Sequence, residues 1–333
     1  MKILLVCMQY TYGDSSREYS YEYFSFYLTL KNMGYEVELF DYMGEMQVLG
    51  KTGMNQKLLE RVQVWRPTMA MFSLYTDQFE PSVIKRLQEH TTTFCFFHDD
   101  SWRVDYSRYW ARKFNYFSTP DCRGQEKYRE IGILNSIYFP FGCNEKIFRN
   151  QEAIKKYDVS FVGGWHPYRE WLIERIRKAG VSVEVFGHRW PKGEIDQDGM
   201  IKLFNESRIN LNLSNSASWD ARYLASSPRA LINRLRSKKN VEQMKARMFE
   251  VSGCGSFQLT YYVEGLANCY DIDREIGVYG DSDDLIEKVQ FYLAHEQLRE
   301  TIAAAGYQRT LQEHTFANRF QRVFRRMGLT DER

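Results

Sequence analysis

The amino-acid sequence predicts an α/β fold of two doubly wound domains, in which helices cover both faces of a mainly parallel sheet. Short apolar runs alternate with helical segments, and this alternation begins at residue 2 and again near residue 157. The 333 residues also exceed what one ordinary hydrophobic core requires and suit two domains. We therefore assign residues 1–150 to a first domain and 151–333 to a second, with the option that the last helix packs back on the first.

Four apolar runs in the first half have the length of buried strands, and helical segments separate them. A turn rich in tyrosine follows the first run, and Gly34 is a typical stop residue for the first helix. The predicted strands span residues 2–7, 37–40, 68–73 and 93–97, and the predicted helices span 19–33, 58–64 and 83–90.

The second half repeats this pattern without repeating the sequence. Gly180 ends its first predicted helix, and Leu285, Val289 and Leu293 keep helical spacing in the C-terminal part. The predicted strands span residues 158–162, 181–186, 209–213 and 256–260, and the predicted helices span 168–179, 244–252 and much of the chain from 283 onward.

The composition excludes several classes of protein. The 45 Lys and Arg nearly balance the 43 Asp and Glu, so the whole chain offers no positive field for gripping nucleic acid. The six cysteines include no C-x-x-C pair, which argues against a zinc site or a disulfide framework. No apolar run approaches the length needed to span a bilayer. We expect a cytoplasmic protein.

Ligands of doubly wound sheets bind beyond the carboxyl ends of the strands, so we examined residues that follow predicted strands. The turn after the first strand carries Tyr10, Tyr12 and Gly13, which are candidates for binding an acceptor, since tyrosine commonly lines sugar and base sites. Two such domains facing each other would enclose a central cleft.

The fourth predicted strand ends in neighbouring carboxylates. Asp99 and Asp100 are candidate catalytic residues that can act as a base or bind sugar hydroxyls, and carboxylates can also hold a metal. Alternatively, Asp100 caps a helix that starts near Trp102. Trp102 is a further candidate for acceptor binding.

The second half offers candidates for binding a phosphorylated donor. Gly163 and Gly164 separate a strand from a helix, where glycine lets a phosphate approach free backbone N–H groups. Arg169 lies in the first turn of this helix, where the helix dipole favours acidic residues. A cation at this position suggests an anionic ligand. Gly187 and His188 follow the next strand and complete this group. An ordinary tight turn is the alternative.

A cationic pair precedes the glycines of the segment FEVSGCG. Lys245 and Arg247 lie two residues apart, so one extended turn can direct both at one anion, such as a departing diphosphate. Glu250 can accept two hydrogen bonds from a ribose diol. The alternative is an amphipathic helix with scattered surface charge.

A local basic run comprises Arg229, Arg234, Arg236, Lys238 and Lys239. Most such runs are solvated loops. The alternative is a surface that grips an anionic acceptor, including a nucleic-acid backbone.

Several blocks of this sequence resemble the CgeB-like glycosyltransferases. Residues 244–270, with the FEVSGCG block, and residues 284–315, which end in His-Thr, are similar to the donor domain of that family. Residues 21–23, 99–102, 118–121 and 139–144 are similar to its first domain. The similarity extends over nearly the whole chain.

The resemblance implies a GT-B fold, in which the N-terminal Rossmann-like domain binds the acceptor and the C-terminal one binds a nucleotide-sugar. It implies that Lys245 and Arg247 contact the diphosphate and that Glu250 contacts the ribose. Glu242 and Glu250 also have the E-x7-E spacing of the wider retaining group, and Arg169 takes the position of a donor-binding cation there.

The function implied is a metal-independent glycosyltransferase that moves a sugar from a nucleotide-sugar, with a UDP-sugar preferred, to the hydroxyl of a glycan, cell-surface or small-molecule acceptor. No other cofactor is expected. Two alternatives stay open. The protein could transfer the sugar to a modified nucleic-acid base, although nucleic acid is the less favoured partner, or it could bind nucleotide-sugars without catalysis.

Overall fold

The computed structural model describes residues 1–213, 219–237, 239 and 242–329. The chain forms two compact units: unit 1 contains Met1–Pro140 and the segment from Phe316 onward, and unit 2 contains Phe141–Thr315. Residues 141–156 lie with unit 2 because their backbone is bound there. The Cys143 N–H donates to the His314 carbonyl (3.0 Å), and the Gln151 N–H donates to Asn205 Oδ1 (2.7 Å).

Unit 1 is a six-stranded parallel sheet in the order β2-β1-β3-β4-β5-β6. Each predicted strand is present. Leu5 of β1 pairs with Leu39 on one side and Met71 on the other, so this central strand is buried on both faces. The strands are β1 Lys2–Cys7, β2 Glu36–Asp41, β3 Met69–Ser73, β4 Thr92–Phe96, β5 Tyr116–Thr119 and β6 Ser136–Tyr138.

The helices of unit 1 differ from the prediction mainly in length. A π-helical turn at Tyr23–Tyr27 leads into the first α-helix, and the second starts sixteen residues before its predicted start at residue 58 because Gly44, Gly50 and Gly53 obscure its pattern. The helices are α1 Leu28–Asn32, α2 Tyr42–Trp65, α3 Pro81–Leu87, α4 Val104–Ala111 and α5 Gly124–Glu130.

Unit 2 repeats the architecture with five parallel strands in the order β11-β10-β9-β7-β8. The chain leaves β7 to one side for β8 and then crosses to the other side for β9. The two neighbours β7 and β9 therefore form the switch point of the sheet. The strands are β7 Tyr157–Val162, β8 Val183–Phe186, β9 Ser207–Asn212, β10 Gln258–Tyr261 and β11 Gly277–Tyr279.

Seven helices cover this sheet in the described part of unit 2, and the last helix of the chain belongs to unit 1. In unit 1 the rings of Phe316 and Phe320 pack on Phe26, with centroids 5.4 and 5.7 Å apart. The helices are α6 Pro167–Lys178, α7 Gln197–Glu206, α8 Ala221–Ser226, α9 Pro228–Arg236, α10 Arg247–Gly253, α11 Ser282–Ala294, α12 Glu296–Glu313 and α13 Phe316–Arg326. Within the described ranges, no helix has the length and apolarity that crossing a bilayer demands.

Candidate functional site

The loops after β7 and β9 meet at the switch point of unit 2. Gly163 and Gly164 leave β7, and Leu213 follows β9. A side chain at Gly163 would place its Cβ 2.8 Å from the ring of Phe161, so the first of these glycines is required by packing. Gly164 is exposed and has open space around it. The two glycines thus form a narrow turn that lets the following helix α6 start close to the sheet.

A second loop fixes this turn from the side of β8. Gly187 has a φ of 141°, and a Cβ there would lie only 2.2 Å from the carbonyl oxygen of Gly163. The same carbonyl accepts a hydrogen bond from Trp190 Nε1 (2.8 Å). His188 is exposed and lies 3.2 Å from Glu194. Gly187 therefore permits close backbone approach, and the side chain of His188 faces away towards solvent.

Arg169 closes the switch point from the first turn of α6. Its Nε and Nη2 donate to the carbonyl of Leu213 (3.2 and 3.1 Å), and its Nη1 donates to the carbonyl of Gly164 (2.7 Å). Burial lowers the pKa of Arg169 to about 10, so the group stays charged at neutral pH. Within the described residues its ligands are neutral carbonyls and it forms no ion pair. A half-buried cation with neutral ligands is stabilised further by a bound anion.

A recess beside Arg169 brings together residues from the ends of β9 and β10, from the segment before α10 and from α10 itself. Its volume is about 20 Å³, which suits one small polar group and not a whole nucleotide. Both Lys245 and Glu242 line it together with Arg169. Its other lining residues are Asn212, Leu213, Gln243, Met248, Thr260, Tyr261 and Val263.

Arg247 does not line this recess, although Lys245 does. The helix α10 begins at Arg247, three residues later than its predicted start, and Arg247 Nη1 lies 2.8 Å from Glu250 Oε2 in the same helix. Burial raises the pKa of Glu250, and the charge of Arg247 partly opposes this. The structure thus separates the expected cationic pair. Lys245 lines the same recess as Arg169, whereas Arg247 forms an ion pair with Glu250.

His166 caps the start of α6 and was not among the sequence-derived candidates. Its Nδ1 accepts a hydrogen bond from the backbone N–H of Tyr168 (3.3 Å). Burial, helped by the positive charges of Arg169 and Lys239, lowers the pKa of His166 to about 4, so the ring is neutral at neutral pH. The expected anion-binding helix start therefore has one of its free N–H groups already satisfied by this cap.

In unit 1 the two candidate catalytic carboxylates have different surroundings. Asp100 is buried and accepts a hydrogen bond from the Tyr128 hydroxyl, with Thr119 and Ser107 as further donors. Burial raises its pKa, and these hydrogen bonds partly oppose the rise. Asp99 is half-buried. Asp100 is consequently a structural support of the turn after β4, and Asp99 is the carboxylate that a ligand can reach.

A buried cluster lies beside Asp99 at the ends of β3 and β4. Glu22 Oε1 is 3.0 Å from His98 Nε2 and accepts from the Ser73 hydroxyl (2.6 Å). Burial alone would raise the pKa of Glu22, but the hydrogen bond and charge of His98, helped by Ser73, hold it below its usual value. Glu22 therefore anchors His98 from a distant part of the sequence.

Replacing Glu22 with glutamine should lower the free energy of unfolding by roughly 2 kcal/mol at neutral pH, because the charged hydrogen bonds weaken. A lowered folded-state pKa contributes stability that is complete above the ordinary value of 4.5 and is lost as pH falls below it. The difference between wild type and Glu22→Gln should therefore shrink at about pH 3.5, as measured by urea unfolding. As a control, Glu89→Gln at an exposed position should lower the free energy of unfolding by less than about 0.5 kcal/mol. If Glu22→Gln lowered that free energy equally at both pH values, the role of the Glu22 charge would be contradicted.

Tyrosines cluster after β1, where acceptor binding was expected. The rings of Tyr10, Tyr19, Tyr23 and Tyr27 form a continuous stack, with neighbouring centroids 4.0 to 5.2 Å apart. Tyr12 is exposed and lies 6.0 Å from another tyrosine ring after β3. The tyrosines thus present ring edges and hydroxyls at this end of the sheet.

The other two acceptor candidates have structural contacts. Gly13 has a φ of 73°, and a Cβ there would lie 2.7 Å from Met43 Cβ, so this position requires glycine. Trp102 is half-buried, and its backbone N–H donates to the Asp99 carbonyl (3.3 Å). Among the described residues, no three His, Cys, Asp or Glu side chains are grouped as metal ligands.

Comparison with known proteins shows a likeness to one family of glycosyltransferases. Residues 169–325 match the profile described as glycosyl transferase-like. Spore protein CgeB of Bacillus subtilis (strain 168) is 25% identical over 207 residues, which cover 57% of this chain and 60% of that protein. The chain thus resembles the CgeB-like glycosyltransferases. It spans less than two thirds of the length of this curated relative.

Solved structures establish that this chain has the GT-B fold. Sucrose-phosphate synthase from Thermosynechococcus elongatus has a TM-score of 0.63 at 11% identity, covering 98% of this chain and 99% of that one. Anabaena HepE in complex with UDP-glucose has a TM-score of 0.64 at 10% identity, covering 99% and 100%. A glycosyltransferase from Rickettsia africae has a TM-score of 0.64 at 9% identity, covering 100% and 99%. At these identities the likeness concerns the fold alone.

The profile match begins at Arg169, the residue that closes the switch point of unit 2. It then includes the recess around Lys245 and the pair formed by Arg247 and Glu250. Three parts of the described sites escaped sequence reasoning: Glu22, Ser73 and the cap at His166. Glu22 and Ser73 carry no local signal, because only the sheet brings them to His98. Histidine at an N-cap before proline is a signal that could have been read.

Proposed function

We propose that this CgeB-like protein is a glycosyltransferase that moves a sugar from a nucleotide-sugar to an acceptor hydroxyl without a metal ion. One observation carries the proposal: the half-buried guanidinium of Arg169 has only neutral carbonyl ligands among the described residues and shares its recess with Lys245 and Glu242. Two cations at a switch point supply the positive charge that a departing diphosphate requires. HepE was solved with UDP-glucose, which makes that compound the first donor to test.

In the proposed reaction one bond to the sugar C1 breaks and one forms. The bond between the sugar C1 and the diphosphate oxygen breaks, and its electron pair leaves with the nucleoside diphosphate. The acceptor oxygen forms the new bond to C1 and loses its proton. Arg169 and Lys245 stabilise the negative charge that develops on the diphosphate as the bond breaks, so they stabilise the transition state more than the bound substrate.

The remaining donor candidates take supporting roles in this proposal. Gly163 and Gly187 let the two loops approach each other, and the exposed turn at Gly164 is the part a phosphate can reach. Arg247 pairs with Glu250 within α10, and Lys245, two residues earlier, lines the recess. A ribose contact by Glu250 stays a prediction, and it requires that ion pair to open.

On the acceptor side, we assign the hydroxyl-binding role to Asp99 and to the tyrosines after β1. Asp99 is reachable, whereas Asp100 is enclosed by Tyr128 and its neighbours. An aromatic and hydroxyl-rich surface suits a glycan, because sugar rings pack on tyrosine and their hydroxyls bond to carboxylates. NMR of the product distinguishes the two routes: inversion at C1 makes Asp99 the base, and retention leaves the proton to the departing phosphate.

A screen of UDP- and GDP-sugars tests the donor assignment. We expect one donor to raise the melting temperature and to be turned over, with activity unchanged by EDTA. Replacing Lys245 with alanine should lower kcat/KM about a hundredfold and weaken the melting shift, because one of two phosphate cations is lost. Lys202→Ala, on the neighbouring helix α7, is the matched control. A melting shift without turnover would instead indicate a nucleotide-sugar-binding protein.

A further inference from the structure

The helix α9 in unit 2 buries a cation and exposes its aliphatic side chains. Arg234 is 3% exposed, whereas Leu231, Ile232 and Leu235 are 45%, 46% and 69% exposed. Helices on protein surfaces show the opposite arrangement, with aliphatic side chains towards the core. Positions 231, 232 and 235 lie on one face by helical spacing. This aliphatic face is therefore not explained by the packing of unit 2.

The burial of Arg234 also places an aromatic ring beside this face. Its guanidinium lies 4.1 Å from the ring centroid of Trp219, and that indole is 58% exposed. The arrangement covers the cation and leaves the indole at the surface. Trp219 and the three aliphatic residues of α9 together form the surface that we call the α9 face.

Positive charge flanks the α9 face. Arg229 and Arg236 are exposed, lie one turn to either side of Ile232, and pair with no carboxylate among the described residues. Residues 221–241 contain six Lys and Arg and neither Asp nor Glu. A surface with apolar groups in the centre and cations at its edge matches the interface of an anionic bilayer, where acyl chains lie below a layer of phosphates.

We propose that the α9 face binds the surface of a membrane containing anionic phospholipid. Leu231, Ile232 and Leu235 enter the boundary between headgroups and acyl chains, while Arg229 and Arg236 contact phosphates. A nucleic acid fits this face less well, because Trp219 is the single aromatic ring of the face and its three aliphatic side chains offer no surface on which bases stack. The inference is independent of the sugar-transfer proposal, since it rests on side chains outside the recess.

Sedimentation of the full chain with vesicles tests this inference. The wild type should sediment with vesicles of phosphatidylcholine and phosphatidylglycerol and not with phosphatidylcholine alone. The joint change Leu231→Ser, Ile232→Ser and Leu235→Ser should weaken binding at least about a hundredfold through lost apolar burial. The joint change Arg229→Ser and Arg236→Ser should weaken it roughly thirtyfold, with a smaller dependence on salt.

Matched controls use exposed residues of unit 1. Val48→Ser with Val64→Ser removes exposed aliphatic groups elsewhere, and Arg322→Ser with Arg325→Ser removes exposed cations elsewhere; both should bind vesicles like the wild type. Circular dichroism and melting temperature establish that each variant folds.

Four results would overturn the inference. The wild type does not sediment with vesicles, or the two α9 variants bind vesicles as fully as the wild type does. Alternatively, the wild type binds duplex DNA and not vesicles and the α9 variants lose the DNA binding, or the wild type is a dimer that the aliphatic variant dissociates. In the last two cases a nucleic acid or a second copy covers the α9 face.

Discussion

Arg169→Ala should reduce kcat/KM for sugar transfer by roughly 10²- to 10³-fold, the largest effect expected of any single change in the donor recess. The half-buried guanidinium lies at the switch point, and its hydrogen bonds to Leu213 and Gly164 hold both loops. Two of its N–H donors have no acceptor among the described residues. Steady-state kinetics with the donor identified by screening measure the loss. The melting shift produced by the nucleoside diphosphate should fall with it.

Two further variants separate the charge of Arg169 from its shape and its structural contacts. Arg169→Lys keeps the charge but not the planar fork, so an intermediate loss is expected. Arg177 lies on the same helix α6, and its exposed guanidinium pairs with Glu174. Arg177→Ala is therefore the control, and sugar transfer by this variant should be unchanged. Full activity of Arg169→Ala with intact ligand-induced melting would show that the diphosphate binds elsewhere.

Gly187→Ala should destabilise unit 2 by roughly 3 kcal/mol or more, and lower Tm by about 6–12 °C. A Cβ at this position would lie 2.2 Å from the Gly163 carbonyl, and the φ of 141° is unfavourable for any residue with a side chain. The obstacle is backbone and cannot rotate away. Thermal unfolding followed by circular dichroism measures the change.

The neighbouring Gly164→Ala is the matched control for this prediction. Gly164 has open space around it and no positive φ, so alanine should change stability by less than about 0.5 kcal/mol. Reduced transfer by Gly164→Ala, with stability intact, would support a phosphate contact at this turn. Equal stability of both variants would contradict the close approach of the two loops.

The local sequence carries enough information for the sheet strands and for the class of fold. Buried parallel strands are apolar along their whole length, so the runs at Lys2–Cys7 and Tyr157–Val162 can be recognised without knowledge of their neighbours. The glycine-rich turn at Gly163 and the resemblance around Glu250 likewise depend on adjacent residues. These features yielded the family and the GT-B fold, which the comparisons confirm.

The partners of the charged side chains could not be predicted in the same way. Lys245 and Arg247 are two residues apart, yet Arg247 binds Glu250 while Lys245 shares a recess with Arg169, which is 76 residues away in sequence. Glu22 reaches His98 through the sheet of unit 1. Hydrophobic periodicity indicates which face of a helix or strand is buried, but it does not indicate which two charged side chains will pair in the folded protein.

The sequence by itself determined the alternation of strands and helices, the parallel sheets and the resemblance to a family, because each depends on side-chain patterns within short segments. The tertiary structure alone decided that Asp100 is enclosed, that the guanidinium of Arg169 binds the carbonyls of two loops, and that α9 exposes its leucines. The physical reason is that burial sets the energy of a charge, and burial is a property of the packed chain.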